Sequence, residues 1–132
     1  VAEKHTIQSP ALMKRLLVEI DSPALGVIFD PVNLVPSTGI SVQDDFLDEC
    51  FESFGSKIIA IHAKDYTITE GAYGPMKSKS LPAGTGELDW AGVFRRMKKF
   101  KLDSLPVLIE DIDPVSVAKT RVYLQQLWED TV

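Results

Sequence analysis

The sequence predicts an α/β protein of four successive strand–helix units, on the basis of three observations. Short continuous apolar runs, typical of strands buried on both faces, alternate with segments whose apolar residues recur at helical spacing. A polar residue follows each run. No linker or low-complexity stretch divides residues 1–132, which we therefore expect to form one domain. Such alternation implies a parallel sheet with right-handed crossovers, and four units make half of a (β/α)8 TIM barrel.

The first predicted unit combines a short strand at Val1–Lys4 with a well-marked helix. Ser9 is a good N-cap and Pro10 is favoured at the first helical position, so the helix should begin there. Its apolar stripe consists of Leu12, Leu16, Leu17 and Ile20. The residues at 21–23, which include a proline, should end it.

The second unit begins with a predicted strand at Ala24–Phe29 that stops at Asp30 and Pro31. Ser41 is a candidate N-cap for the following helix, and Gly55 is a candidate C-terminal cap. The apolar face between these caps consists of Phe46, Leu47, Cys50, Phe51 and Phe54.

The third unit has a predicted strand at Lys57–Ala63 and a helix capped by Asp89. Between them, residues Tyr66–Glu87 are rich in Gly, Ser, Thr, Lys and Pro, which predicts a loop. A loop this long inside a compact domain is usually functional. We therefore predict that it is the most mobile part of the chain and serves as a lid over the site.

The fourth unit has a predicted strand at Pro106–Ile109, and Asp113 with Pro114 opens the last helix. The competing architecture for the whole chain is a small, open, doubly wound sheet. No glycine fingerprint follows any of the strands, which disfavours a dinucleotide-binding version of that fold.

Composition argues against several classes of partner. The net charge is −5 and no basic cluster suggests a nucleic-acid partner. No apolar run reaches the roughly 20 residues of a membrane span, so no membrane partner is expected. The single cysteine, Cys50, cannot form an intrachain disulfide, and we expect it to be a buried side chain in a cytoplasmic protein. The chain begins with Val1 rather than Met, so its start is treated as a candidate truncation or processing point.

Polar residues follow, or lie at the end of, each predicted strand: Glu3 with His5, Asp30, His62 and Glu110. In a parallel α/β barrel, catalytic residues gather at the C-terminal ends of the strands. We therefore predict that Glu3, Asp30, His62 and Glu110 converge on one point.

Three carboxylates and one imidazole form an oxygen-rich set of metal ligands. Such a set suits Mn²⁺ or Mg²⁺ and does not exclude Co²⁺ or Zn²⁺. Taken singly, each residue has a plainer explanation: a helix cap or solvent-facing charge for an acid, and a structural role for His62. The equivalent position of all four in successive units favours a shared site.

The sequence also resembles a known family. Besides Glu3, the resemblance is carried by "FDPVNL" at 29–34, "IHAKD" at 61–65, "PAGTGELDW" at 82–90 and "VLIED" at 107–111. These motifs resemble the xylose isomerase-like TIM-barrel superfamily, and within it the sugar phosphate isomerases and epimerases, which include tagatose- and psicose-type 3-epimerases. The resemblance runs along nearly the whole chain but only to the second half of a family member. It therefore implies the C-terminal half of a barrel.

The resemblance also implies an activity. By it, the metal ligands are Glu3, Asp30, His62 and Glu110. Glu3 and Glu110 would also be the catalytic pair that transfers a proton on either face of the substrate carbon. The implied protein is a metal-dependent sugar or sugar phosphate isomerase or epimerase whose reaction passes through an enediolate.

Other roles follow from the same resemblance. His5 matches a frequent neighbour of the first glutamate and is expected to bind substrate. Asn33, at a position where many members carry histidine, is also a candidate substrate-binding residue, although asparagine cannot act as a ready proton carrier. Lys64 and Asp65 are expected to order the turn after their strand. The glycines of "PAGTGELDW" are expected to shape the loop that approaches the site.

Two alternative functions stay open. One is a non-catalytic barrel domain that binds a sugar or a metal. The other is an endonuclease IV-like DNA repair enzyme, which uses a zinc cluster and several histidines. This chain is acidic and has 2 histidines, which makes the repair enzyme the weaker alternative.

Half of a barrel would leave two strand edges and the inner face of its sheet uncovered. The candidates for that uncovered apolar surface are Ile28, Ile59, Ile61 and Leu108. Because side chains alternate along a strand, some of these should point toward the helices instead. We therefore expect a homodimer, or pairing with an N-terminal half of the barrel.

Overall fold

Three short parallel strands form the sheet of the computed structural model, which describes residues 6–37, 42–110 and 113–132. They are β1 (Val27–Phe29), β2 (Ile58–Ala63) and β5 (Val107–Ile109), in the spatial order β1-β2-β5. Both pairings are parallel, with Phe29 opposite Ile61 and His62 opposite Leu108. The predicted α/β class with a parallel sheet is therefore confirmed. The first predicted strand, at Val1–Lys4, lies outside the described residues.

Helices follow each of these strands, and a further helix precedes them. They are α1 (Pro10–Ile20), α2 (Pro31–Leu34), α3 (Gln43–Phe54), α4 (Trp90–Lys99) and α5 (Pro114–Asp130). The predicted caps at Ser9, Asp89 and Asp113 are confirmed, because each side chain accepts a backbone N–H of its helix. The candidate cap Ser41 lies outside the described residues. The one-turn helix α2 was not predicted.

The core lies between the helices and one face of the sheet. Phe29 of β1 packs edge-on against Phe51 and Phe54 of α3, with ring centroids 5.6 and 5.4 Å apart. Cys50 is fully buried in the same region, as predicted, and burial raises the pKa of its thiol. This packing fixes β1, and therefore the residue that follows it, relative to the helices.

The prediction of a loop over Tyr66–Glu87 is wrong for most of that segment. Strands β3 (Asp65–Gly71) and β4 (Gly74–Leu81) pair there as an antiparallel hairpin. Gly71 is opposite Gly74, and Gly74 adopts a positive φ of 111° at the end of the turn. The many Gly, Ser and Lys residues obscured a run of β-branched residues, Thr67, Ile68 and Thr69, that favours a strand. The mobility and the lid role of this segment stay predictions.

Three apolar strand residues are about half exposed: Ile28 at 46%, Ile59 at 54% and Leu108 at 42%. Ile61, in contrast, is fully buried in the core, as alternation allowed. The sheet therefore presents apolar side chains on the face that the described helices do not cover. Among the described helices, none has both the length and the apolar character to cross a membrane.

Candidate metal centre

Asp30 lies directly after β1, where its buried side chain is held by the start of α2. Its Oδ1 atom accepts the backbone N–H of Asn33 at 2.8 Å, which makes Asp30 the N-cap of that helix. Pro31 occupies the first helical position, and its fixed φ favours the turn. The sequence "DPVN" thus orients the carboxylate as it starts the helix.

His62 lies on β2 and Glu110 lies just beyond β5, and both side chains approach that of Asp30. The Nδ1 atom of His62 is 3.0 Å from Oε2 of Glu110 and 3.7 Å from Oδ2 of Asp30. Glu110 directly follows β5 and is tied to β2 by a backbone hydrogen bond from its N–H to the Ala63 carbonyl at 3.1 Å. The parallel register therefore brings together three side chains that are distant in sequence.

These three residues fit a divalent cation. One ligand atom from each of Asp30, His62 and Glu110 lies within 4.8 Å of the other two. An ion at a typical ligand distance of 2.0–2.6 Å can contact atoms up to about 5 Å apart. Two carboxylates and one imidazole also match the ligand preference of Mn²⁺ and of similar ions. Glu3 and His5, the other predicted members of the site, lie outside the described residues.

Lys64 enters the same site, which the sequence did not predict. Its Nζ atom is 2.8 Å from Oδ2 of Asp30 and 2.8 Å from Oε2 of Glu110. Its side chain is 4% exposed. Lys64 was expected to order the turn after β2. The spacing of Lys64 and His62 could have indicated its place in the site. Side chains two residues apart on a strand point to the same face of the sheet, so that of Lys64 points the same way as that of His62.

Asp65, which was expected to order the turn after β2, binds the glycine-rich segment that precedes α4. Its Oδ2 atom accepts the Gly84 N–H at 2.8 Å, and its Oδ1 atom accepts the Leu88 N–H at 2.9 Å. Gly86 lies between these two contacts, and a Cβ there would be 2.2 Å from the Tyr66 carbonyl oxygen. The glycine-rich segment is therefore shaped by its close approach to the start of β3.

Gln43 is a second residue that sequence reasoning missed. It is buried at the start of α3 and its amide donates to the Tyr66 hydroxyl and to the Glu87 carbonyl, both at 3.0 Å. Its side-chain oxygen accepts the Asp89 N–H. No sequence motif singled it out, because a glutamine in the first turn of a helix is unremarkable on its own. It joins α3, the base of the hairpin and the start of α4.

Asn33, a predicted substrate-binding residue, contacts the side chain of Asp30. Its Nδ2 atom donates to Oδ2 of Asp30 at 2.5 Å. This hydrogen bond helps to fix the second oxygen of the Asp30 carboxylate. The substrate role of Asn33 stays a prediction.

The comparisons with known proteins identify a family and a fold. A family model described as xylose isomerase-like TIM barrel matches residues 2–127. The structure of a xylose isomerase domain protein from Planctomyces limnophilus aligns with a TM-score of 0.74 and 18% identity, over 96% of this chain and 44% of that one. The structure of a D-tagatose 3-epimerase-like protein aligns with a TM-score of 0.67 and 20% identity, over 93% and 42%. No curated protein sequence matches the chain.

The structural likeness, at these identities, concerns the fold. The helices and the parallel sheet correspond to part of a TIM barrel. The chain spans less than half the length of either similar structure.

Proposed function

This chain belongs to the xylose isomerase-like TIM-barrel family, and on that premise we propose that it forms much of the active site of a metal-dependent sugar or sugar phosphate isomerase or epimerase. The observation that carries the proposal is the convergence of Asp30, His62 and Glu110 within 4.8 Å of one another. They meet where parallel strands end, which is where barrel enzymes place their catalytic groups. The similarity to a D-tagatose 3-epimerase-like protein adds support for a sugar substrate.

Asp30, His62 and Glu110 would hold the ion, with Glu3 as the fourth ligand predicted from the sequence. The bound ion, Mn²⁺ or Mg²⁺ in preference to Co²⁺ or Zn²⁺, would stabilise negative charge on neighbouring sugar oxygens. Asp30 is buried and fixed by the α2 cap, so it acts as a rigid anchor of the site.

Glu110 is the residue that we propose for proton transfer. Its side chain is 36% exposed, whereas that of Asp30 is 5% exposed, so only Glu110 of the two faces the open side of the site. A carboxylate there can remove a proton from a carbon next to a carbonyl and return it after the enediolate has formed. Glu3 would serve as its partner on the opposite face of the sugar.

Solvent isotope exchange tests this function. The intact protein that carries this chain is incubated in D₂O with Mn²⁺ and D-tagatose, and then with other ketoses, and deuterium at the sugar carbons is measured by NMR. We expect substrate-dependent wash-in of deuterium. Glu110→Gln should reduce the rate by about 10²–10⁴-fold, the usual contribution of a general acid–base residue.

Glu52→Gln is the matched control, because Glu52 is an exposed carboxylate on α3. It should exchange at the wild-type rate. If Glu110→Gln exchanges deuterium at the wild-type rate, Glu110 does not transfer the proton. Sugar binding without any exchange would instead indicate a non-catalytic sugar-binding domain.

A further inference from the structure

Lys64 places a buried positive charge between two of the candidate metal ligands. It lies directly after β2, two residues beyond His62. Its ammonium group is 2.8 Å from one oxygen of Asp30 and 2.8 Å from one oxygen of Glu110. A buried ammonium needs compensating charge, and a buried carboxylate needs it equally. The ammonium of Lys64 therefore offsets part of the negative charge of the two carboxylates.

The oxygens that Lys64 contacts are also the ones nearest to the third ligand. Oε2 of Glu110 is 3.0 Å and Oδ2 of Asp30 is 3.7 Å from Nδ1 of His62. A divalent ion bound to these two oxygens at 2.0–2.6 Å would lie no more than about 5 Å from an ammonium that is 2.8 Å from both. Two cations at that separation repel each other, and in a partly buried site water screens them less than at the surface.

We propose that Lys64 is an internal counter-cation of this centre, which holds the carboxylates of Asp30 and Glu110 together in the metal-free protein and competes with the divalent ion for them. The inference rests on the proposed metal centre. It assigns to Lys64 a role in setting metal affinity. When the ion enters, the ammonium group must leave the two oxygens or remain at the cost of repulsion. Lys64 thus weakens metal binding while it keeps the metal-free site intact.

Metal titration of the intact protein tests the competition. The protein is stripped of metal with a chelator, and free Mn²⁺ is followed by electron paramagnetic resonance as Mn²⁺ is added. Lys64→Met should bind Mn²⁺ at least about tenfold more tightly than the wild type, an effect of the size that groups around metal ligands usually have. Its metal-free form should melt at a lower temperature, and Mn²⁺ should raise that temperature by more than in the wild type.

Two further variants serve as controls. Lys57→Met makes the same substitution at a lysine that contacts the Ser22 carbonyl, away from the site, and should leave Mn²⁺ affinity unchanged. Lys64→Arg keeps the positive charge and should stay within a few-fold of the wild type. Equal or weaker Mn²⁺ binding by Lys64→Met, with Mn²⁺ still bound by the wild type, would overturn the role of Lys64 and leave the metal centre standing. No Mn²⁺ binding by either protein would overturn the centre itself, and the inference with it.

A measurement on the unmodified side chain covers the case in which Lys64→Met does not fold. Wild-type protein labelled with ¹⁵N-lysine is titrated with Mg²⁺, and the ammonium signal of Lys64 is identified by its loss in Lys64→Arg. Binding of Mg²⁺ should shift that signal or speed its exchange with water. A signal that does not change at saturating Mg²⁺ would overturn the competition.

Discussion

Asp30 uses its two carboxylate oxygens for different contacts. Oδ1 caps α2 through the Asn33 N–H, whereas Oδ2 accepts the Asn33 side-chain amide and pairs with Lys64. The carboxylate is therefore held from two directions before any ligand arrives. A site whose ligand is already oriented loses less conformational entropy when it binds.

The buried position of Tyr66 leads us to expect a lower free energy of unfolding at high pH. Its buried hydroxyl accepts a hydrogen bond from Gln43, and burial raises its pKa to about 12 from 10.0, with smaller contributions from Glu87 and Asp65. The folded protein thus holds this proton more tightly than the unfolded chain does. The stabilisation is complete below pH 10 and is lost as the pH rises from 10 toward 12. Between pH 10 and pH 12, the free energy of unfolding of Tyr66→Phe should fall by about 1–3 kcal/mol less than that of the wild type. Urea denaturation measures both.

Tyr73→Phe is the matched control for that prediction, because Tyr73 is fully exposed at the turn of the hairpin. Between pH 10 and pH 12 it should lose as much free energy of unfolding as the wild type does. If the wild type and Tyr66→Phe lose stability equally between pH 10 and pH 12, the buried hydroxyl is not responsible.

At the scale of elements, the sequence predicted the helices better than the segment between β2 and α4. Helix starts carry local chemical signals, such as Ser9 with Pro10 and Asp113 with Pro114, and these depend only on the adjacent backbone. The hairpin depends on pairing between two strands of weak apolar character, so composition alone suggested a loop. Gln43 and Lys64 act through contacts with residues 46 positions away, which no local pattern shows.

Gly86 provides a test of how tightly the glycine-rich segment packs on the hairpin. A Cβ at this position would lie 2.2 Å from the Tyr66 carbonyl oxygen and 2.5 Å from Oδ1 of Asp65. Because the first of these atoms belongs to the backbone, it cannot move aside as a flexible side chain would. We expect Gly86→Ala to lower the free energy of unfolding by about 1–3 kcal/mol in urea denaturation.

Gly55→Ala is the comparison for Gly86. Its backbone is already right-handed helical, with φ −53°, and the nearest atom to its Cβ would be a Phe100 ring carbon at 3.3 Å. Its effect should stay within about 1 kcal/mol. Equal losses in the two variants would show that the close contact at Gly86 does not determine the result.

At the scale of the whole molecule, the convergence of Asp30, His62 and Glu110 followed from the topology. Once strands are parallel and adjacent, their C-terminal ends lie side by side. The order β1-β2-β5 satisfies that condition. The sequence did not predict the β3–β4 hairpin, but the hairpin forms a separate sheet after β2 and does not change the order of the parallel strands. Glu3 requires the strand predicted at Val1–Lys4, which lies outside the described residues, and its membership stays a prediction.

The uncovered face of the sheet predicts that the 132-residue chain associates when it is made alone. Ile28, Ile59 and Leu108 are between 42% and 54% exposed, on strands next to one another. Adjacent exposed apolar side chains favour association with a matching surface. We expect a dimer or larger species in sedimentation at tens of micromolar, and a shift toward monomer in the double variant Ile28→Glu, Leu108→Glu.

Val115→Glu is the control for association, because Val115 is 79% exposed and lies on α5, not on a strand of the sheet. It should sediment like the wild type. A wild-type chain that stays monomeric and folded under these conditions would show that the exposed strand residues do not cause self-association.

The sequence separation of the site residues also determines when the site can form during synthesis. The hairpin contact between Thr69 and Met76 spans 7 residues, whereas the contact between Lys64 and Glu110 spans 46. A ribosome that adds about 5–20 residues per second needs several seconds to pass from His62 to Glu110. Throughout that interval Asp30 and His62 exist without Glu110, the third side chain of the proposed centre. At the proposed centre, metal loading would therefore be a late event in the life of the nascent chain, and the hairpin can be complete before the three side chains can meet.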